Sequence, residues 1–142
     1  MTVIAWDGTT LAADKRAVRG SRIATTTKLW KINNHLVAGA GAFTAVLSMK
    51  AWWEGDRDPA TFPVFKEGGD QLIVITPDKE ILTYEETPYP MIMEDPFFSW
   101  GSGKEVALGV MAMGGNAMKA VVIASQHLCD CGNGVDWIRH GL

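Results

Sequence analysis

The chain has 142 residues, 47% of them hydrophobic, which fills the core of one domain spanning 1–142 and leaves too little for a second. Thirteen basic against sixteen acidic residues give a net charge of -3 without any Lys/Arg block that could track a phosphate backbone, so nucleic acid is excluded as the expected partner. The longest apolar stretch, around Val37 to Leu47, is too short for a membrane span, and no basic region precedes an apolar run as in a signal peptide. Cys129 and Cys131 lie too close together to staple distant segments and are too few to close a zinc site, so a reducing cytoplasm is expected, with no metal or cofactor.

Thr2 to Trp6 and Thr10 to Lys15 read as two strands joined at Asp7-Gly8, because glycine tolerates the positive φ of a tight hairpin. Lys28 to Ile32 and His35 to Ala42 form a second pair around Asn33-Asn34. From Phe43 to Glu54 the apolar Val46, Leu47, Trp52 and Trp53 recur at helical spacing, and Gly55 ends the run. Residues 55–69 carry two prolines and three glycines and read as a connecting loop. Strands resume at Gln71 to Thr76 and Glu80 to Glu85, and the prolines at 88, 90 and 96 break up the next segment until Phe97 to Trp100. Two helices, Lys104 to Met113 and Ala117 to Leu128, flank Gly114-Gly115, with Asn116 as N-cap of the second, and Val135 to Arg139 is a last strand. Strands grouped apart from helices specify α+β with antiparallel sheets.

Several chemical motifs fail. GSGKE at 101–105 lacks the first glycine of a phosphate loop, where Phe98 stands, and its Ser/Thr, where Glu105 stands. GAGAFT at 39–44 has Thr44 in place of the last glycine of a dinucleotide fingerprint. His35, His127 and His140 have no metal-ligand spacing, and no serine sits in a nucleophile elbow.

The start of the chain is different. Loss of Met1 would leave Thr2 with a hydroxyl and a free amine on the same Cα, a nucleophile that carries its own base. An unperturbed α-amine titrates at about 7.7 to 8.0, so roughly a tenth is already neutral at pH 7. A nearby cation would lower that value further, and a carboxylate would hold the cation in place.

LAADKRAVRG at 11–20, TTTKLWKINNHLVAGAGA at 25–42 and WGSGKEVALGVMAMGG at 100–115, in this order behind a strand that begins with Thr, resemble the β-type subunits of the proteasome. They are similar also to the bacterial peptidase ring that works with an ATP-driven unfoldase. The resemblance covers nearly the whole chain and implies an N-terminal nucleophile (Ntn) hydrolase. Its fold would be a four-layer αββα sandwich, two antiparallel sheets flanked by helices. The shortened stretch between Glu54 and Gln71 and the trimmed C-terminal end imply a compact member, of the kind expected from a phage or a reduced bacterial lineage.

Carried over by residue, the resemblance makes Thr2 the nucleophile, Lys28 the catalytic lysine, Asp14 the acid that pairs with it, and Arg16 the arginine two places on. The backbone N–H of Gly41 or Ala42 falls at the oxyanion hole, Ser102 on the serine near the nucleophile's amine, and Ala40 at a position that shapes the specificity pocket. The family's second carboxylate falls on Leu128, and its following Ser/Thr on Cys131, without a gap; a small shift gives the carboxylate role to Asp130 instead. Two readings stand. One is a threonine peptidase cleaving peptide or unfolded-protein substrates inside a homo-oligomeric ring, in the cytoplasm (the host's if phage-encoded), with an ATP-dependent unfoldase as a possible partner. The other is a catalytically silent assembly subunit.

Overall fold

The computed structural model describes residues 1–65 and 67–141. Strands β1 (Ile4–Trp6) and β2 (Thr10–Asp14) form a first hairpin, β3 (Arg16–Arg19) and β4 (Arg22–Thr25) a second, and β5 (Leu29–Ile32) and β6 (His35–Ala40) a third. Helix α1 (Phe43–Glu54) follows, then a 3-10 turn at Pro59–Thr61 and strands β7 (Gln71–Ile75), β8 (Ile81–Tyr84), β9 (Met91–Met93) and β10 (Phe98–Trp100). Helices α2 (Lys104–Ala112) and α3 (Ala117–His127) precede β11 (Val135–Arg139).

Among the described residues the strands make three antiparallel sheets, ordered β10-β1-β2-β11, β5-β6-β7-β8-β9, and the pair β3-β4. Side chains of a strand alternate between its two faces, and both larger sheets use both faces. Ile4 and Trp6 of β1 meet Leu36, Ala38, Ile73 and Ile75 of the five-stranded sheet, whereas Val3 and Ala5 face Ala107, Met111, Ala120 and Val121 of α2 and α3. On the far side of the five-stranded sheet, Val37, Leu72 and Val74 pack on Met49, Trp52 and Trp53 of α1. The consecutive apolar residues of these short strands, such as Ile4–Trp6, Leu11–Ala13 and Leu72–Ile75, are thus explained by burial on both faces. This packing, helix on sheet on sheet on helices, is compatible with the sandwich expected from the sequence.

Local chemistry fixes the turns. Asp7 accepts hydrogen bonds from the N–H groups of Thr9 and Thr10 at 2.9 and 2.8 Å, while its other oxygen accepts from Ala117 N–H at 2.9 Å. One side chain therefore closes the first hairpin and satisfies an orphan donor in the first turn of α3. Asn33 and Asn34 both have left-handed φ, 49° and 62°, as a two-residue turn between β5 and β6 requires. Asn116 caps α3 by accepting from Lys119 N–H at 2.8 Å.

The structure adds elements to the sequence reading. Arg16–Arg19 and Arg22–Thr25 form a hairpin whose second strand is exposed throughout, and Met91–Met93 forms an edge strand between the prolines. Strand β6 stops at Ala40, two residues earlier than expected, because Gly41 turns the chain at φ 113°. No described helix is long and apolar enough to cross a membrane.

Candidate active site

Thr2, Asp14 and Lys28 are far apart in sequence and converge where the two large sheets meet. Thr2 lies just before β1, Asp14 ends β2 and Lys28 immediately precedes β5 in the facing sheet. The register of β1 on β2, Ile4 opposite Ala13, brings the next pair, Val3 and Asp14, side by side. Asp14 N–H donates to the Val3 carbonyl at 3.2 Å and Val3 N–H donates to Asp14 Oδ1 at 3.1 Å.

Asp14 and Lys28 form a buried ion pair, Nζ to Oδ1 2.9 Å, with side chains 0% and 3% exposed. Such a pair survives burial only when its remaining valences are filled. On the carboxylate, Oδ2 accepts from the N–H groups of Arg16 and Gly132 at 3.2 and 3.1 Å. The ammonium donates to Thr2 Oγ1 at 3.1 Å and to the Met1 carbonyl at 3.1 Å. A cation in contact with the Thr2 hydroxyl favours the alkoxide that develops when the hydroxyl gives up its proton. Thr2 itself is 4% exposed.

Ser102 closes the other side, in the turn between β10 and α2. Thr2 N–H donates to Ser102 Oγ at 3.1 Å, and Ser102 Oγ and Gly103 N–H donate to the Thr2 carbonyl at 3.3 and 3.0 Å. Gly41 lines the same cleft as Met1 and Ser102, and Ala42 follows it. Ala42 N–H donates to Asp70 Oδ1 at 2.7 Å, whereas Gly41 N–H donates to no group among the described residues. The cleft has a volume of about 650 Å³, and its wall includes Met1, Ala40, Gly41, Met93, Trp100 and Ser102.

The segment after α3 separates Leu128 and Asp130, between which the sequence left a choice, from Cys131. Leu128 packs against the α2/α3 cluster. Asp130 is half-buried, and its carboxylate is 3.7 Å from Cys129 Sγ; it makes no hydrogen bond to Thr2, Lys28 or Ser102. Cys131 is fully buried, its Sγ 3.2 Å from where a Cβ on Gly103 would stand. Arg16 holds this loop, donating from Nη1 to the Cys129 carbonyl at 2.6 Å and from Nε to Asn133 Oδ1 at 3.0 Å. Gly132 leaves room for it, since a Cβ there would lie 2.7 Å from Arg16 Nη2. Among the described residues no three His, Cys, Asp or Glu side chains are grouped to hold a metal ion.

The two cysteines differ in a measurable way. Burial pushes the Cys131 thiol up, the Asp14 carboxylate adds to the rise, and the thiolate that reacts with disulfide reagents is suppressed. Cys129 is exposed. Titration with a chromogenic disulfide at pH 8 is therefore expected to consume one thiol in the native protein and two after denaturation; rapid reaction of both in the native state would contradict the burial of Cys131.

Sequence comparison identifies no relative: no family model and no curated protein matches the chain. Structural comparison does. The Thiobacillus denitrificans protein BPH in complex with epoxomicin superposes with a TM-score of 0.75 over 98% of this chain and 97% of that one, at 17% identity. The structure described as BPH alone gives a TM-score of 0.71 over 97% and 96% of the two chains, at 16% identity. The chain shares the fold of BPH over nearly its whole length.

Proposed function

We propose that this chain is a threonine peptidase whose nucleophile is Thr2, exposed by removal of Met1. The observation that carries the reading is the position of the Lys28 ammonium, buried and within hydrogen-bond distance of both Asp14 and the Thr2 hydroxyl. A surface ion pair would be worth little and would not need such enclosure. The BPH complex adds support, because a chain of the same fold binds epoxomicin, a proteasome inhibitor.

While Met1 is attached, Thr2 N is an amide and has no basic lone pair. Once it is free, the amine accepts the hydroxyl proton as Oγ1 attacks a peptide carbonyl, and Lys28 steadies the developing alkoxide. Gly41 N–H faces the new oxyanion. Collapse of the tetrahedral intermediate breaks the C–N bond, the departing amine takes the proton, and an ester remains on Thr2. Water, deprotonated by the same amine, hydrolyses the ester and restores the hydroxyl. Ser102 positions the Thr2 amine in this scheme, and no metal or cofactor takes part. The substrate is a peptide or unfolded chain. A homo-oligomeric ring in the cytoplasm, fed by an ATP-driven unfoldase, would restrict so unselective a nucleophile to chains threaded into it.

One observation favours the alternative, a ring component without activity: Leu128 packs among apolar helix residues where the resemblance expects a carboxylate, and Asp130 does not replace it at Ser102. The two readings separate by labelling. Intact mass of the purified assembly is expected to lack Met1 and, after incubation with an epoxyketone, to gain one inhibitor per chain; Thr2→Ala gains none. Folded wild-type protein that has lost Met1 yet takes up no label would favour the inactive subunit.

A further inference from the structure

Asp70 has no role in the proposed reaction, yet it is 8% exposed, makes no ion pair among the described residues, and lies directly behind the proposed oxyanion donor. It precedes β7, and its Oδ1 accepts the Ala42 N–H at 2.7 Å. That bond spans the bend at Gly41, where φ is 113° and a Cβ would lie 2.4 Å from Asp70 Oδ1 and 2.8 Å from Asp70 Cα. Backbone and carboxylate of Asp70 thus pack together against the open face of Gly41, and the carboxylate also ties the turn through Ala42 N–H. With Ala42 N–H committed to Asp70, the peptide between Ala40 and Gly41 is left with its N–H free and its orientation set by the neighbouring bond.

We propose that Asp70 is a positioning residue for the oxyanion hole: its hydrogen bond to Ala42 locks the Gly41 turn so that Gly41 N–H is held toward the carbonyl attacked by Thr2. The inference rests on the reading of Gly41 as the oxyanion donor. It identifies Asp70 as an acceptor and gives its negative charge no favourable part, because a second anion near a developing oxyanion opposes it. Asparagine keeps the acceptor oxygen and removes the charge; alanine removes both.

Wild type, Asp70→Asn and Asp70→Ala are compared in peptide hydrolysis and in amide hydrogen exchange at Ala42 followed by NMR. In D70A, kcat is expected to fall about a hundredfold, the effect of misplacing one donor by roughly an ångström, with KM within about threefold of wild type. Ala42 N–H should exchange at least about tenfold faster in D70A once its acceptor is gone. D70N is expected to keep both the wild-type kcat, or exceed it, and the slow exchange. If D70A does not fold, D70N decides alone, since a kcat loss comparable to a hundredfold in that variant overturns the proposal. It is also overturned if D70A keeps the wild-type kcat or loses only KM. If the wild type hydrolyses no peptide and takes up no epoxyketone, the peptidase reading fails instead. The exchange rates then judge the locked turn: fast in D70A and slow in D70N supports it, and equal rates in the two overturn it.

Discussion

Asp14→Ala is expected to unfold the protein under conditions in which Lys28→Ala stays folded, although both abolish activity. The carboxylate accepts four hydrogen bonds, from Lys28 Nζ, Val3 N–H, Arg16 N–H and Gly132 N–H, at 2.9, 3.1, 3.2 and 3.1 Å. Removing it strands a buried ammonium and three backbone donors. Each stranded donor costs about 1–3 kcal/mol, so the loss reaches the size of a typical domain's whole stability, about 5–15 kcal/mol. Lys28→Ala removes one donor and leaves the carboxylate three. Its cost should be near the lower end for breaking a buried pair, about 3 kcal/mol. Asp14→Asn should fall between them, because the amide keeps one acceptor oxygen and turns an NH₂ toward groups that also donate. Urea denaturation of the three variants checks the order, and peptide hydrolysis by folded Lys28→Ala should be at least about a hundredfold slower than wild type. Equal destabilisation by Asp14→Ala and Lys28→Ala would mean that the ion pair, not the four-fold acceptor, is what the fold depends on.

That centre also shows how much of the site was legible. Thr2, Asp14, Lys28 and Ser102 could be named from the sequence because each belongs to a short pattern, and the structure brings all four together. Asp130 belongs to no such pattern, and it stands apart from them beside Cys129. Cys131 is buried beside Gly103, where an added Cβ would lie 3.2 Å from its Sγ, a placement visible only as an ungapped position in the resemblance. Asp70 was not legible at all. Its partner Ala42 is 28 residues away, and the glycine-rich stretch before it reads as a linker. The only available signal was a carboxylate immediately before the apolar strand run QLIVI.

The fold divides in the same way. Hairpins with Asp7-Gly8 or Asn33-Asn34 at their turns announce themselves, since few residues tolerate those dihedrals. The pair Arg16–Arg19 and Arg22–Thr25 was missed because its second strand buries neither face, and a strand without a buried face has no period to read. Met91–Met93 was missed for a related reason. It is a three-residue edge strand between prolines, and its exposed Met91 and Ile92 cover no core.

Gly101→Ala is expected to damage both stability and activity more than removal of the Ser102 hydroxyl beside it. Gly101 has φ 91°, and a Cβ there would lie 2.2 Å from the Thr2 carbonyl oxygen and 2.8 Å from its carbon. These are backbone atoms, already fixed by hydrogen bonds from Gly103 N–H and Ser102 Oγ, so the start of β1 must move to make room. Backbone strain of about 1–3 kcal/mol and overpacking of similar size act together. Displacing Thr2 from Lys28 by even an ångström should lower kcat about a hundredfold. Ser102→Ala leaves the turn intact and removes one hydroxyl, at a stability cost of about 1 kcal/mol. Gly109→Ala provides the opposite control: it lies inside α2 with nothing within 4 Å of an added Cβ, so alanine should stabilise the protein by about 0.5–1 kcal/mol. Thermal unfolding and peptide hydrolysis of the three variants separate two demands on GSG. If Gly101→Ala is tolerated while Ser102→Ala is not, the hydroxyl is the essential feature; the expected result is that the turn must first let the chain pass within contact distance of Thr2.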